Sequence, residues 1–327
     1  MAQVNRNKPA RAASSESTYT LMDLVREYPD DATCLEWLWR ENYSPDGERA
    51  MCPKCEQERK FHRVASRPSW SCDTCGHHVH PTAGTIFHKS STSLHLWFYA
   101  IFLMSSTRCG ISAKQLEREL GVTYKTAWRM AKMIREQLMD DEGAPLAGEV
   151  EMDEMYVGGK PRASETAQYR GMTPWERQRA VAKNTAKRKT KVFGMVERGG
   201  KVQAYVVPNI KRDTLMGHVE ERVLPASVVY TDEHSVYDTL EQRGYPHRRI
   251  HHLQKVYVRG EVHTNTIEGF WSLVKRGISG THHAVSAKHL QGYLNGYAWR
   301  YNHRNDVRPT FLTLLESSAR QVDLGGA

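Results

Sequence analysis

The sequence lacks any hydrophobic run long enough to cross a membrane. Its longest nearly continuous apolar stretch, Leu94 to Met104, is too short to span a bilayer. The first eighteen residues, MAQVNRNKPARAASSEST, contain no apolar core of the kind that a secretory signal requires. These absences argue against a secreted or membrane-inserted protein, and we expect a cytoplasmic location.

Cysteine is also scarce, with six residues in a chain of 327. A chain of this length can build two or three hydrophobic cores and does not depend on disulfides for stability. Four of the six cysteines form two CxxC pairs, CPKC and CDTCG, separated by sixteen residues. Two such knuckles bring four thiolates together as tetrahedral zinc requires. We therefore predict a structural zinc site at Cys52, Cys55, Cys72 and Cys75.

Two other interpretations of the cysteines stay open. The four could form a disulfide scaffold, although no export signal supports one. One of three histidines after the second knuckle could also replace a cysteine as ligand: His77, His78 or His80. The two isolated cysteines, Cys34 and Cys109, are predicted to be buried thiols.

Acidic residues are too few to balance the basic ones. The chain has 46 Lys and Arg against 37 Asp and Glu, a formal charge of +9. Residues 158–191 hold ten basic and two acidic side chains, so this segment carries almost the whole excess. Such a segment is either a solvated loop or a loop that lies on phosphates. The charge favours nucleic acid as the partner, with predicted contacts from Lys187, Arg188, Lys189 and Lys191.

A helical pair is predicted after a buried helix at residues 90–107. Ser112 and Gln115 match a capping box at the start of its first helix, and Gly121 ends that helix. Apolar residues at spacings of three and four indicate a second helix. The pattern is typical of a DNA-binding helix-turn-helix, although an ordinary helical hairpin has it too. In a helix-turn-helix, DNA would be contacted by Thr123, Tyr124, Lys125, Thr126 and Arg129.

Beyond Pro145 the pattern changes to alternating strands and helices, which indicates an α/β domain. Period-two alternation and the turn sequence ERGGK predict three strands, at 149–157, 191–197 and 201–207. The predicted elements that follow are a helix at 211–223, a buried strand at 227–232, a helix to about 242, a strand at 248–253 and helices at about 266–279 and 286–303.

Three acidic residues lie where an active site would need them. Asp153 is in the middle of the first strand, Asp232 ends the fourth, and Glu268 is in the first turn of a late helix. Carboxylates from separate elements are typical ligands of hard cations such as Mg²⁺. Each has a structural alternative: a solvent-facing strand residue, a helix cap and, for Glu268, a capping box with Asn265.

Other charged residues stand close to these candidates. Lys275 lies on the same side of the late helix as Glu268, where it would attract a DNA phosphate or form a weak helical ion pair. Three further acids rank below the candidates as ligands: Glu151, Glu154 and Glu233.

The segments that carry the three acids are EMDEMYVGGK, VVYTDEHSVY and HTNTIEGFWSLVKRGISGTHH. They resemble the zinc-ribbon DDE transposases of bacterial insertion sequences, in the ISXO2-like group, whose eukaryotic relatives are the Merlin elements. The knuckles and the helical pair resemble the N-terminal half of that family, and the resemblance covers about residues 20–305. It implies a ribonuclease-H-like catalytic fold in which Asp153, Asp232 and Glu268 hold Mg²⁺ or Mn²⁺. It also implies that Lys275 is the basic residue that such transposases place after the last acid.

The function that the resemblance implies is DNA transposition. Such an enzyme binds double-stranded DNA at the terminal inverted repeats of its mobile element, cleaves the ends and joins them to target DNA. Coordinated joining of two ends implies a homodimer or a larger assembly on DNA. Two alternatives stay open: a metal-dependent nuclease of the same fold, and a domesticated DNA-binding regulator without catalysis. The expected location is the bacterial nucleoid, or the nucleus of a eukaryote.

The predicted organisation has five parts, and the fold class is α/β. In chain order they are a disordered tail at 1–18, N-terminal helices and a zinc ribbon at 19–88, a helix-turn-helix region at 89–142, a catalytic domain at 146–305 with a basic insertion at 158–191, and a C-terminal tail at 306–327.

Overall fold

A computed structural model of the protein describes residues 19–140, 143–158, 170–250 and 263–321. The chain forms two compact units. One contains the residues up to Met139 together with those from His303 onwards, and the other contains Asp140–Asn302. No helix in the described ranges combines the length and the apolar character needed to cross a membrane.

The first unit combines helices with a small antiparallel sheet. The sheet has the order β1-β2-β3-β4, and its strands are β1 (Arg49–Cys52), β2 (Gln57–Val64), β3 (Ser69–Cys72) and β4 (His78–Val79). The helices are α1 (Leu21–Glu27), α2 (Asp31–Asn42), α3 (Leu94–Ser106), α4 (Ala113–Leu120), α5 (Tyr124–Met133, continued by a π-helical turn at Ile134–Leu138) and α10 (Thr310–Ala319).

Aromatic stacking holds the small sheet against α2. The rings of Trp39 on α2 and Trp70 on β3 are almost parallel, with centroids 4.8 Å apart. Trp39 is fully buried, and its indole N–H donates to the carbonyl of Gly47 at 3.0 Å. The Arg63 guanidinium lies over the Trp70 ring at 4.9 Å. Because a sheet this small has little interior of its own, the indole pair supplies much of its apolar contact.

Helix α10 lies inside the segment 306–327 that is predicted as a tail. It packs on α2 and α3 within the first unit, and Phe311 meets Tyr19 and Phe102 at ring distances of 5.0 and 5.8 Å. Phe311, Leu314 and Leu315 are all buried. The apolar run FLTLL explains why this segment folds onto the unit.

The second unit is built on a five-stranded sheet with the order β7-β6-β5-β8-β9. Its strands are β5 (Glu149–Val157), β6 (Thr190–Glu197), β7 (Val202–Val207), β8 (Val228–Thr231) and β9 (His247–Arg249). Its helices are α6 (Pro174–Arg188), α7 (Arg212–Arg222), α8 (Asn265–Arg276, continued by a π-helical turn at Gly277–His282) and α9 (Leu290–Asn302). Strands β5, β6 and β7 pair antiparallel, whereas β5, β8 and β9 pair parallel.

Helices cover both faces of this sheet. Alternate residues of β5 point to opposite sides: Val150 and Met152 pack with α7, and Met155 packs with α8 and α9. The first β-strand of the unit, β5, is the central strand of the sheet.

Two further segments differ from the sequence-based expectation, and the outcome for a third lies partly outside the described residues. Residues after Asp232 form two 3₁₀ turns, Ser235–Thr239 and Glu241–Arg243, in place of a helix. Part of the predicted strand 248–253 lies outside the described residues, which resume at His263. The basic segment was expected to be a loop, but it contains α6, because Thr173 and Glu176 cap its first turn reciprocally.

Side-chain amides of α9 satisfy the free edge of the sheet at β7. Gln291 accepts from the backbone N–H of Val206 at 2.8 Å and donates to the carbonyl of Ala204 at 3.0 Å. Asn302 accepts from the backbone N–H of Val202 at 2.7 Å and donates to the carbonyl of Val202 at 3.1 Å. An edge strand presents unpaired backbone groups that attract other strands, and these two side chains occupy them.

We expect Gln291→Ala to lower the free energy of unfolding by about 1–3 kcal/mol, because it leaves backbone groups of β7 without partners. Urea denaturation of the variant and the parent protein measures the loss. Gln242→Ala, an exposed glutamine of the same unit, is the matched control and should change stability much less. Equal losses in the two variants would contradict the role of Gln291 in covering the edge.

Candidate functional site

The four cysteines of the two knuckles converge in the first unit. Their sulfur atoms all lie within 4.8 Å of one another, and the Sγ atoms of Cys52 and Cys75 are 3.6 Å apart. All four are free thiols. The structure thus brings together the four predicted ligands, in an arrangement that could hold a metal ion.

The knuckle backbone prepares the sulfur of Cys52 to bind a cation. Burial alone would raise the pKa of this thiol, but the backbone N–H groups of Cys55 and Lys54 point at the sulfur and lower its pKa to about 7. The Cys55 N–H donates to Cys52 Sγ at 3.4 Å. Because the thiolate is the form that binds metals, these N–H groups favour metal binding. Of the two isolated cysteines, Cys34 is buried as predicted, whereas Cys109 is exposed in the turn after α3.

The helical pair α4–α5 forms where the sequence predicts it. Ser112 caps α4 by accepting the N–H of Gln115 at 3.1 Å, although the reciprocal bond of a full capping box is not formed. Gly121 ends α4 in a left-handed conformation, with φ of 64°, that suits glycine. Among the predicted DNA contacts, Thr126 is half-buried and the others are exposed: Thr123, Tyr124, Lys125 and Arg129.

Two of the three predicted catalytic acids meet in the second unit. Strand β8 pairs parallel with β5 and places Tyr230 opposite Glu151. Asp153 and Asp232 are each two residues further along these strands, so the register brings them side by side. Carboxylate oxygens of Asp153, Asp232 and Glu154 lie within 4.8 Å of one another. We call these three residues the acid cluster.

The acid cluster concentrates carboxylates in a partly buried place. Burial raises the pKa of Asp153 to about 7, and the nearby Glu154 and Asp232 raise it further. Burial also raises the pKa of Glu154. Within the described part of the chain, no Lys or Arg forms an ion pair with any of the three. A divalent cation would supply the missing counter-charge, and carboxylate oxygens are its preferred ligands.

Neighbouring groups fix two of these carboxylates in place. The Tyr237 hydroxyl donates a hydrogen bond to Glu154, and the backbone N–H of His234 donates to Asp232 at 3.0 Å. From the sequence alone, Glu154 ranks below the three predicted catalytic acids as a ligand. Its neighbour Tyr237, 83 residues away in sequence, could not be recognised from local patterns.

Glu268 lies outside the acid cluster. It is exposed in the first turn of α8, and its Oε1 accepts a hydrogen bond from the Thr264 hydroxyl at 3.2 Å. The capping box with Asn265 does not form, because Asn265 is the first residue of the helix and Thr264 is its N-cap. Lys275 is exposed in the last turn of the same helix.

Gly194 and Trp271 shape one wall of the acid cluster. Gly194 on β6 pairs with Asp153 on β5, and a Cβ atom at Gly194 would lie 2.4 Å from the indole of Trp271. The ring therefore rests directly on the strand beside Asp153. Trp271 is buried, and its Nε1 forms no well-aligned hydrogen bond among the described residues. Its N–H faces the Asp153 carboxyl and opposes the rise in that pKa.

The basic segment is described only in part. Lys189 and Lys191 are half-buried around the start of β6, and Lys191 Nζ donates to the carbonyl of Pro208 at 3.5 Å. The side chains of Lys187 and Arg188 lie outside the described residues, as do residues 159–169. Near the start of α6, Trp175 is 65% exposed and Arg179 lies over its ring at 5.3 Å.

Comparisons with known proteins agree on one family. The family model described as ISXO2-like transposase domain matches residues 145–302. An "Uncharacterized protein in transposable element ISH50" from Halobacterium salinarum is 30% identical over 280 residues, which are 82% of this chain and 90% of that protein. An "Uncharacterized transposase-like protein" from Haemophilus influenzae is 34% identical over 102 residues, 31% of this chain and 81% of that protein.

We expect the purified protein to contain one zinc ion per chain, lost in the Cys52→Ser/Cys75→Ser double variant. Elemental analysis and thermal unfolding measure both effects, since metal binding is coupled to the folding of such small modules. Cys109→Ser removes an exposed thiol outside the cluster and should keep the zinc. Full folding of the double variant without zinc would contradict a structural metal site.

We expect Asp153→Asn to raise the melting temperature of the metal-free protein above pH 7. The substitution removes the cost of burying a charged carboxylate and its repulsion by Glu154 and Asp232, and each kcal/mol removed corresponds to roughly 2–4 °C for a domain of this size. Because the folded-state pKa of Asp153 is raised to about 7, the destabilisation is complete above that pH. It disappears only well below about pH 4, where the carboxyl is protonated in both the folded and the unfolded state.

Thermal scans in EDTA across this pH range test the prediction. Asp213→Asn, at an exposed carboxyl on α7, is the control and should not stabilise. Added Mn²⁺ should raise the melting temperature of the parent protein more than that of Asp153→Asn. A lower melting temperature for Asp153→Asn in EDTA would show that the acid cluster is not under repulsion.

Proposed function

The chain belongs to the ISXO2-like transposase family, and we propose that it binds the terminal inverted repeats of its mobile element, cleaves the ends and joins them to target DNA. The observation that carries this proposal is the acid cluster of Asp153, Glu154 and Asp232 on adjacent parallel strands. Phosphoryl transfer on DNA needs such a set of oxygen ligands for divalent cations.

We assign the second unit to the ribonuclease-H-like folds. In chain order within the unit, its strands lie 3-2-1-4-5, with the first three antiparallel and the last two parallel to the central strand. The acids stand at the centre of this arrangement, on strand one and directly after strand four. Helices α8 and α9 cover one face. This order supports the assignment that the family resemblance implies.

The residues of the acid cluster fit Mg²⁺ or Mn²⁺. They offer hard oxygen donors close enough to share a cation, and no Lys or Arg among the described residues pairs with them to offset their charge. When bound, such cations lower the pKa of water and stabilise the leaving oxygen of a phosphodiester. The chain's own groups hold the donors still: Tyr237 orients Glu154, and the backbone N–H of His234 orients Asp232.

Glu268 is the third acid in this proposal, with Glu154 as an additional donor. Glu268 stands in the first turn of α8, whose buried residues Ile267 and Trp271 pack on the sheet beside Asp153. Its carboxylate is exposed and bonded to the Thr264 hydroxyl. An exposed carboxylate in this position is available to a cation or to a DNA-bound state of the site.

DNA recognition is assigned to four surfaces. The helical pair α4–α5 presents the start of α5 with the side chains expected in a groove. The cysteine cluster, occupied by zinc, supports the small sheet as a second DNA-binding element. The basic segment with α6, and Lys275 on α8, supply phosphate contacts in the second unit. Coordinated joining of two DNA ends further implies a homodimer or a larger assembly on DNA.

Experiments can distinguish two alternatives from this function. A nuclease of the same fold would cleave the ends but fail to join a pre-cut 3′ end to a target. A non-catalytic regulator would bind the ends and do neither. The three buried or half-buried acids argue against the regulator, because a binding protein gains nothing from their repulsion.

We expect Asp232→Asn and Glu268→Gln each to lower the rates of end cleavage and joining by about a thousandfold, with end binding retained. Both changes keep size and remove negative charge, so they test the charge itself. The assay uses DNA that carries the inverted repeats flanking the gene, with Mg²⁺ or Mn²⁺.

Glu220→Gln is the matched control for these variants, because Glu220 pairs with Arg243 on the surface of the same unit. It should cleave like the parent protein. Near-normal cleavage by Glu268→Gln would remove Glu268 from the reaction and leave Glu154 as the third acid. Normal cleavage by Asp232→Asn would overturn the proposed site.

A further inference from the structure

The buried acid Glu151 has no place in the acid cluster. It is fully buried on β5, two residues before Asp153. A carboxylate with no access to water is costly unless charged and hydrogen-bonding partners surround it. Its partners therefore identify what the residue does.

Glu151 caps helix α8 from a distant part of the chain. Its Oε2 accepts the backbone N–H groups of Thr266 and Ile267 at 2.8 and 3.0 Å, and its Oε1 accepts the Thr266 hydroxyl at 3.0 Å. The N-cap residue Thr264 makes no capping bond of its own. The first turn of a helix has free N–H groups and a positive dipole end, so a carboxylate there is stabilising.

Arg198, after β6, completes the arrangement. Its Nε donates to Glu151 at 2.8 Å and its Nη2 donates to the carbonyl of His263 at 2.7 Å. Its guanidinium also lies over the Tyr230 ring on β8 at 3.9 Å. The Tyr230 hydroxyl in turn donates to Glu149 at 3.0 Å, and Glu149 accepts from Arg198 at 3.1 Å.

Three residues of this network stand close in sequence to a proposed catalytic acid. Glu151 is two residues before Asp153 on β5, and Tyr230 is two residues before Asp232 on β8. Ile267 directly precedes Glu268 on α8. We propose that Glu151 and Arg198 are positioning residues that hold β5, β8 and α8 in the relative placement that catalysis needs. This inference rests on the proposed function, since it concerns the placement of those acids.

The test compares Glu151→Gln with the parent protein in three measurements. Glutamine keeps the size but loses the charge that pairs with Arg198 and the α8 dipole. Displacing a catalytic group by about 1 Å costs about a hundredfold in rate, so we expect a single-turnover cleavage rate lower by about that factor. End-DNA affinity should stay unchanged. Amide hydrogen exchange in residues 265–270 should become about tenfold faster, as the first turn of α8 loses its cap.

Glu220→Gln is again the control, because it removes the charge of a surface ion pair in the same unit. If Glu151 only stabilises the fold, Glu151→Gln lowers the melting temperature but cleaves at the parent rate at temperatures well below it. That result would overturn the proposal. Unchanged exchange in residues 265–270 would overturn it as well. If the parent protein fails to cleave DNA, the proposed function fails, while the exchange measurement still reports on the cap.

Thr266 provides a milder variant in case Glu151→Gln does not fold. Thr266→Val removes one hydrogen bond to Glu151 and keeps the volume, whereas Thr266→Ser keeps the hydroxyl. We expect Thr266→Val to slow cleavage by about threefold to tenfold, in line with one hydrogen bond of about 1 kcal/mol, and Thr266→Ser to restore the rate. Equal rates in the valine and serine variants would contradict the positioning role.

Discussion

The second unit depends on one buried charge, the carboxylate of Glu151. Removing it from water is costly, so its partners have to be present and correctly oriented whenever the unit is folded. Those partners come from the end of β6 and the start of α8. The requirement therefore fixes the sheet and the helix against each other. Loss of one partner from such a pair typically costs 3–5 kcal/mol, which is a large part of the stability of a domain.

The charges of the acid cluster are arranged in the opposite way, although two of its acids are on the same strand as Glu151. Glu151 is neutralised by Arg198 and backbone N–H groups, whereas Asp153, Glu154 and Asp232 are brought together without basic partners in the described residues. One carboxylate supports the fold, and the others carry strain that only a cation or protons relieve. Sites of this kind are a recognised cost of function in otherwise stable proteins.

Features that depend on residues close together in sequence could be predicted from sequence patterns. The nine-residue alternation of β5, the glycine turn after α4 and the two cysteine knuckles each formed as predicted. Long-range partners were beyond the same reasoning. Asn265 and Glu268 matched a capping box, but Glu151 caps the helix from 115 residues away. The contact between Glu154 and Tyr237 joins residues 83 positions apart, and the packing partners of α10 also lie far back in the chain.

The same long-range cap changes what Glu268 can do. A glutamate that closes a capping box accepts a hydrogen bond from a backbone N–H of its own helix, which fixes its side chain there. Glu151 accepts backbone N–H groups of the first turn of α8. The carboxylate of Glu268 does not cap the helix and is exposed. In the proposed site, Asp153 on β5 and Asp232 directly after β8 are placed by the sheet, whereas Glu268 is exposed and accepts a hydrogen bond from the Thr264 hydroxyl. For the proposed reaction, an exposed third acid would suit both the cleavage of a DNA end and its later joining, in which the attacking group changes from water to a 3′-hydroxyl.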